Sequence, residues 1–321
     1  MLNTAMKILD HDIKHISVMA GEIGKWLQPR EGGTYLDATL GFGGHTLEIL
    51  ERSNYNCRIV ALDIDENAIE HSRRYLGDYP DNITFVYGNF ALVDKIANDL
   101  GISKFDGIVA DLGMSSYQID HSGRGFSFMR SEFLDMRMDR KTDLTAFEII
   151  NNFGFDDLVK IFRQYGEERF SKNISEEIVR IRKTTEINNT RQLAAIVEAS
   201  IPVKFHSKNI HPATRIFQAL RIAVNNELEN LAVFIDTSVN ILNSGARLAV
   251  ISFHSLEDSI VKNKFRSYSE NCICPPGMPQ CGCGKKQVLK LLTRKSVKPS
   301  AAEIDTNRRS RSARLRVAEK I

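Results

Sequence analysis

The feature that most constrains this chain is the alternation of short apolar strands with helical stretches in its first third. Thr34–Leu40 reads as a strand and runs into Gly41-Phe42-Gly43-Gly44, after which a helix is expected from about His45 to Arg52. Arg58–Ile64 is a second strand, Asp65–Leu76 has helical character, and Ile83–Tyr87 and Phe105–Leu112 are strands three and four. Strands alternating with helices imply βαβ units and a mostly parallel sheet. With 321 residues the chain is long enough to bury a sizeable core around it.

After about Tyr117 the pattern changes. Thr145 to Ala199 carries apolar residues at helix spacing only: Phe147, Ile150 and Phe153, then Leu158, Ile161 and Phe162, then Ile174, Ile178 and Ile181, then Leu193, Ile196 and Val197. Pro212 suits a helix start, and Ile216, Leu220, Val224, Leu228, Leu231 and Ile235 make one apolar stripe. Gly245–Ser252 is a fifth strand, Glu257–Phe265 a helix, and Val288–Thr293 and Arg314–Val317 the expected last two strands. The predicted organisation is an α/β domain over residues 1–120 and 214–321 with an all-helical domain inserted over 121–213.

Ligands of open α/β sheets bind beyond the carboxyl ends of the strands, where glycine lets backbone approach them. Gly43, Gly44 and His45 follow the first strand, and Asp63 ends the second, twenty residues past Gly43. That is the place for a carboxylate that accepts hydrogen bonds from ribose hydroxyls. A dinucleotide fingerprint needs Gly or Ala at its sixth position, and here stands Thr46. S-adenosylmethionine has no pyrophosphate to cradle and tolerates the change, so a Rossmann-like class I methyltransferase sheet is expected. Asp37, inside the first strand, is where methyltransferases often keep an acidic residue. Phe90 follows the third strand, where adenine usually lies, and Asp111 ends the fourth, where donor and acceptor meet.

Charge is unevenly placed. Lys285–Ile321 holds 12 Lys/Arg against 3 Asp/Glu, a net of +9, so the rest of the chain sums to −6. A basic C-terminal segment on an acidic body suggests contact with a polyanion, or else a solvated tail. No apolar run approaches the roughly 20 residues of a membrane span, and Met1–Lys14 does not read as a secretory signal, so a cytoplasmic protein without a membrane partner is expected. Cys272, Cys274, Cys281 and Cys283 form C-x-C, six residues, C-x-C. Zinc sites usually space each pair by two to four residues. A reduced loop is therefore expected here, and no metal.

Several longer motifs carry a resemblance. They are Asp37-Ala38-Thr39-Leu40-Gly41-Phe42-Gly43-Gly44-His45-Thr46, Asp111-Leu112-Gly113-Met114-Ser115-Ser116-Tyr117-Gln118, Arg124-Gly125-Phe126-Ser127-Phe128 and Leu134-Asp135-Met136-Arg137-Met138-Asp139. Further on stand Tyr165-Gly166-Glu167-Glu168-Arg169-Phe170, His211–Ile222, Val250–Asp258 and Asn307–Arg316. Together they resemble the ribosomal RNA small subunit methyltransferase H (MraW) family from about His15 to the C-terminus. The resemblance implies methylation of the exocyclic N4 of a cytosine in the decoding region of small-subunit ribosomal RNA, within the small ribosomal subunit, with S-adenosyl-L-methionine as cofactor. It implies cofactor contacts at Gly43, Gly44, His45, Asp63, Phe90, Asp111 and Gln118. Glu132-Phe133 replaces the family's usual Gly-Pro, and Ser17-Val18-Met19-Ala20 its Pro-Val-Leu-Leu.

An exocyclic cytosine amine is a weak nucleophile, because its lone pair is delocalised into the ring. A group that hydrogen-bonds it and takes its proton helps. Asp111 is the expected catalytic residue, with pure cofactor holding as its other reading. The target base must leave its stack, and Arg124, Phe126 and Phe128 are expected along that path, or else form an ordinary packed loop. His254 is a further substrate candidate. Arg314 and Arg316, on one face of a strand by alternation, are expected to hold phosphates; their other reading is a basic outer sheet face. Three competing readings are a methyltransferase acting on DNA or protein, an RNA-binding assembly factor without chemistry, and a dinucleotide oxidoreductase, against which Thr46 argues.

Overall fold

The structure is a computed structural model that describes residues 17–79, 81–207, 210–274 and 282–321. Met1–Lys14 and Cys281 lie outside the described residues. The chain forms α1 (Ala20–Leu27), β1 (Thr34–Asp37), α2 (Gly44–Arg52), β2 (Arg58–Asp63), α3 (Glu66–Tyr75), β3 (Ile83–Tyr87), α4 (Val93–Asp99) and β4 (Phe105–Asp111). Helices α5 (Ser116–Asp120), α6 (Ala146–Asn152), α7 (Phe155–Gln164), α8 (Ser171–Ile181), α9 (Thr190–Ser200) and α10 (Thr214–Asn225) follow. The last stretch holds α11 (Glu227–Ile241), β5 (Leu242–Ser252), α12 (Ser255–Ser269), β6 (Leu289–Leu291), α13 (Ala301–Thr306) and β7 (Arg314–Lys320). None of these helices is long and apolar enough to cross a membrane.

The seven strands form one sheet in the order β3-β2-β1-β4-β5-β7-β6. Strands β1 to β5 run parallel, while β7 pairs antiparallel with both β5 and β6. Period-two alternation explains why the sheet is covered twice. Leu36, Val60, Leu62, Ile108, Leu248 and Val250 bury one face against Val93, Leu231, Phe234, Ile235, Val261 and Phe265 of α4, α11 and α12. Their neighbours Tyr35, Ile59, Ala61, Val109, Ala249 and Ile251 bury the other against Ile23, Leu27, Ile49, Leu50 and Ile69 of α1, α2 and α3. This is a Rossmann-like doubly covered sheet. At about 1.5–3 kcal/mol per fully buried aliphatic side chain, these two layers are the main stabilising contribution of the unit.

Two compact units divide the chain: residues up to Gly113 together with Leu228–Ile321, and Met114–Glu227. The second is all helical, with Leu158, Phe162, Ile174, Ile178, Leu193 and Val197 fully buried in its core. The division differs from the expected limits at 120 and 213. Helix α10 buries Ile216, Phe217, Ala219 and Leu220 in the helical core, so it belongs there. The single apolar stripe from Ile216 to Ile235 is in fact two helices. Asn226 takes a left-handed conformation, φ 51°, between α10 and α11. Apolar spacing does not register such a break, because two helices separated by one residue preserve the phase closely enough. Strand β1 ends at Asp37, three residues before the expected limit, where the backbone turns into the glycine loop.

Candidate active site

In the order β3-β2-β1-β4-β5, the chain winds outward from β1 to β3 and then crosses back to β4. The β1–β4 seam is therefore the topological switch point, where crossovers leave a crevice beyond the strand ends. Asp37, Asp63 and Asp111 stand at the carboxyl ends of β1, β2 and β4. Asp37 is fully buried and accepts from Thr46 Oγ1 at 2.8 Å and from the Thr39 amide at 3.3 Å. Burial pushes its carboxyl above the usual carboxylate range. Thr46, which breaks the dinucleotide fingerprint, is thus the hydroxyl that satisfies a buried acid.

Asp63 is partly open. Its Oδ2 accepts from the Gly41 amide at 2.8 Å and its Oδ1 from the Asp65 amide at 2.9 Å. Burial outweighs these hydrogen bonds, and the carboxyl is raised to about 6. Ser72 Oγ donates to the Gly41 carbonyl at 2.7 Å, so the loop is tied down on both sides. Gly43 has φ 83°, and a Cβ there would meet Leu76 Cδ1 at 2.7 Å. At Gly44 a Cβ would strike Ser17 Oγ at 1.9 Å. A Cβ at either position therefore requires its neighbouring side chain to move, and at Gly43 the positive φ independently favours glycine. The unusual Ser17 sits against the glycine loop, a neighbour that the sequence did not reveal.

Across the switch point, His45 Nε2 lies 3.2 Å from Asp111 Oδ2, and the Asp111 amide donates to Thr39 Oγ1 at 2.6 Å. Asp111 Oδ1 accepts from the Gly113 amide at 3.0 Å. Burial opposes protonation of His45, but the Asp111 carboxylate and, behind it, Asp37 prevail and raise its pKa. His45 is 4% exposed, and its Nδ1 is buried with no hydrogen-bond partner among the described residues. An orphaned nitrogen of this kind in a native fold calls for an explanation. Phe90 is half-buried and meets Phe234 edge to face, with ring centroids 5.0 Å apart. The strand ends thus offer carboxylates and a half-buried aromatic ring. Such a lining suits a cation bearing hydroxyl donors better than it suits a pyrophosphate.

The other expected site residues hold the fold together. His254 N-caps α12: its Nδ1 accepts from the Glu257 amide at 3.4 Å, and its Nε2 is 3.0 Å from Glu257 Oε1. Arg314 and Arg316 do share a face of β7, but α12 covers it. Arg316 forks onto both oxygens of Asp258 at 2.7 and 3.0 Å, and Arg314 reaches Oδ2 at 3.3 Å. Together the two guanidiniums overcome burial and hold the Asp258 carboxyl below its usual range. Arg316 is 9% exposed, whereas Arg314 stays exposed beside Arg308, Arg309 and Arg311.

Within the helical unit, Gln118 is buried and completes a capping box on α5, its Oε1 accepting from the Ser115 amide at 3.1 Å. Arg124 is 2% exposed; its Nη1 donates to the carbonyls of Arg137 and Met138 at 3.3 and 3.1 Å. Phe126 lies under the Arg124 guanidinium, and Phe128 packs on His211 and Phe217. Glu132, at the altered Gly-Pro position, accepts from the Gly125 amide at 2.9 Å. Sequence reasoning passed over Asn225, whose side chain bonds the Met136 carbonyl and the Met138 amide, both at 2.8 Å. A lone Asn near a helix end gives no signal of such a clamp.

A sheet wound in this order, with carboxylates lining its switch point, defines a Rossmann-like α/β methyltransferase. The chain belongs to the MraW methylase family, whose model matches residues 12–321. It is 46% identical over 310 residues to "Ribosomal RNA small subunit methyltransferase H" of Clostridium botulinum (strain 657 / Type Ba4), covering 97% of this chain and 100% of that protein. It is also 46% identical to the protein of that name from Caldicellulosiruptor saccharolyticus, covering 96% of this chain and 99% of the relative. With the Desulfosudis oleivorans protein of the same name it shares 44%, at the same coverage.

Proposed function

We propose that this protein methylates the exocyclic N4 of a cytosine in the decoding region of small-subunit ribosomal RNA, using S-adenosyl-L-methionine. The observation that carries the reading is the His45–Asp111 pair at the switch point, with Asp63 at the neighbouring strand end. Relatives that carry a small-subunit ribosomal RNA methyltransferase name across nearly their whole length support the choice of acceptor. A ribosomal RNA substrate puts the enzyme in the cytoplasm, acting on the small ribosomal subunit.

The residues fit the cofactor. Asp63 has a partly open carboxylate with lone pairs left over from the Gly41 and Asp65 amides, enough for ribose hydroxyls. Gly43 and Gly44 bring backbone to the cofactor, Phe90 flanks adenine, and the orphaned His45 Nδ1 takes a polar partner there. The family resemblance implies a cofactor contact from Gln118 as well. When bound, S-adenosylmethionine supplies a methyl group already activated on a positively charged sulfur, so positioning and desolvation are much of what the protein must add.

Asp111 orients the acceptor. Its Oδ2 accepts a hydrogen bond from the cytosine amine, and as the nitrogen becomes more acidic the proton moves to the Asp111–His45 pair. Gly113 and Thr39 hold Asp111 from the backbone side, so the carboxylate is set in advance. The exposed Arg308, Arg309, Arg311 and Arg314 hold RNA phosphates. Phe126 and Phe128 line the path of the base. Arg124, Arg316 and His254 serve the substrate indirectly, by fixing the loop, strand and helix that carry those groups.

The test is methyl transfer from labelled S-adenosylmethionine to small subunits from cells lacking this protein, with the product mapped by mass spectrometry. Label on N4 of a single cytosine is expected, and Asp111→Asn is expected to slow transfer by about 10²–10⁴-fold while cofactor still binds. Tight cofactor binding with no label on subunits or naked RNA would overturn the reading in favour of another acceptor or a non-catalytic role.

A further inference from the structure

The loop between α12 and β6 leaves the helix after Ser269 and returns to it: the Val288 amide donates to the Tyr268 carbonyl at 2.9 Å, and Lys285 Nζ lies 3.9 Å from Glu270 Oε2. Three thiols meet where the outgoing and returning arms pass. Cys272 and Cys274 stand on the first arm and Cys283 on the second, and their sulfurs all lie within 4.8 Å of one another. Spacing along the chain favoured a reduced loop without metal. The folded loop brings together groups that spacing keeps apart.

The distances decide between two chemistries. A disulfide needs its sulfurs about 2.05 Å apart, whereas Cys272 and Cys283 are 3.9 Å apart. Thiolates bound to one tetrahedral zinc at about 2.3 Å must lie roughly 3.8 Å from each other. Two backbone amides already point at the sulfurs: Cys274 N to Cys272 Sγ at 3.3 Å and Ile273 N to Cys283 Sγ at 3.5 Å. Such donors also suit the negative charge a sulfur carries as a metal ligand. Among the described residues the cluster offers three sulfurs and no carboxylate, a set that selects a soft divalent ion over calcium or magnesium.

We propose that Cys272, Cys274 and Cys283 bind a zinc ion that clips the α12–β6 loop closed. Each thiol gives up its proton on binding, and the three Sγ atoms become ligands, leaving one position for water or another donor. The clip fixes the loop that leads into the basic C-terminal segment, and it takes no part in methyl transfer. The ligands are exposed or half-exposed, so the ion exchanges with solvent.

The probe is cobalt(II), added without oxygen to the reduced, chelator-treated full-length protein. We expect thiolate-to-cobalt charge-transfer absorption that saturates at one equivalent, tetrahedral d–d absorption, and the loss of both on adding one equivalent of zinc. Cys272→Ser/Cys283→Ser should lose the charge-transfer band while retaining cofactor binding. X-ray absorption of the zinc-loaded wild-type protein reads the ligands without any variant, and three sulfurs in the first shell are expected. Absence of the cobalt band in reduced protein, or a zinc shell with fewer than three sulfurs, would overturn the proposal.

Discussion

In the sheet unit, the acidic side chains at the strand ends keep part of their hydrogen-bonding capacity in reserve, whereas the helical unit spends its buried polar groups on its own loops. Asp63 and Asp111 accept from backbone amides yet keep lone pairs for a ligand. Arg124, Gln118 and Asn225 instead satisfy nearby carbonyls and amides. The difference follows from how each architecture closes its backbone. Parallel strands pair along their whole length, so side chains at their ends are not needed to satisfy the sheet. Short helices leave four amides unpaired at the N-terminus and four carbonyls at the C-terminus, and polar side chains have to meet them. A motif residue in the helical unit is therefore a weaker guide to chemistry than one at a strand end.

Buried arginines, one in each unit, put the contrast at risk. Arg316→Ala removes the forked partner of the buried Asp258 carboxylate, leaving it only Arg314 at 3.3 Å, and should cost up to about 3–5 kcal/mol of stability, read as a lower denaturation midpoint. Arg124→Ala removes a charged donor from two carbonyls and should cost less, about 1.5–3 kcal/mol, in the same assay. If Arg124→Ala instead leaves stability unchanged and weakens RNA binding, the helical unit does hold groups in reserve.

The Asp63 carboxyl sharpens the contrast through pH. Its folded pKa of about 6 lies above its ordinary 3.8, so the folded state binds the extra proton. In the cofactor-free protein this group's penalty is largest above pH 6 and is relieved as pH falls from 6 toward 4. Cofactor binding should run the other way. Each pH unit below about 6 should weaken S-adenosylmethionine affinity by up to tenfold as the acceptor is protonated, measured by calorimetry from pH 7.5 to 5. An affinity that is flat across this range would remove Asp63 from the ribose contacts.

The smallest effect is expected at the seam in the chain. Asn226 holds a left-handed turn between α10 and α11. Asn226→Ala should cost about 1 kcal/mol, because a Cβ without a compensating polar group is disfavoured there, and Asn226→Gly should not. Equal loss in both variants would place the cost in the Asn226 side chain instead of its backbone conformation.

Much of the fold was legible in the sequence. Alternation marked the strands within a few residues, and period 3.6 marked α6 to α9, because burial of one face leaves its period in the chain. The carboxylates at the strand ends were legible for the same reason, since a strand's last residue is predictable once its apolar run is known. Only the tertiary structure decided which polar groups are already engaged. It committed Arg316 to Asp258, 58 residues away in sequence, and Asn225 to Met136, 89 residues away. It split one apolar stripe between two cores and drew Cys283 back to Cys272. Local periodicity reports how much of a residue is buried, but the partner of a buried charge is set by pairings between segments distant in sequence.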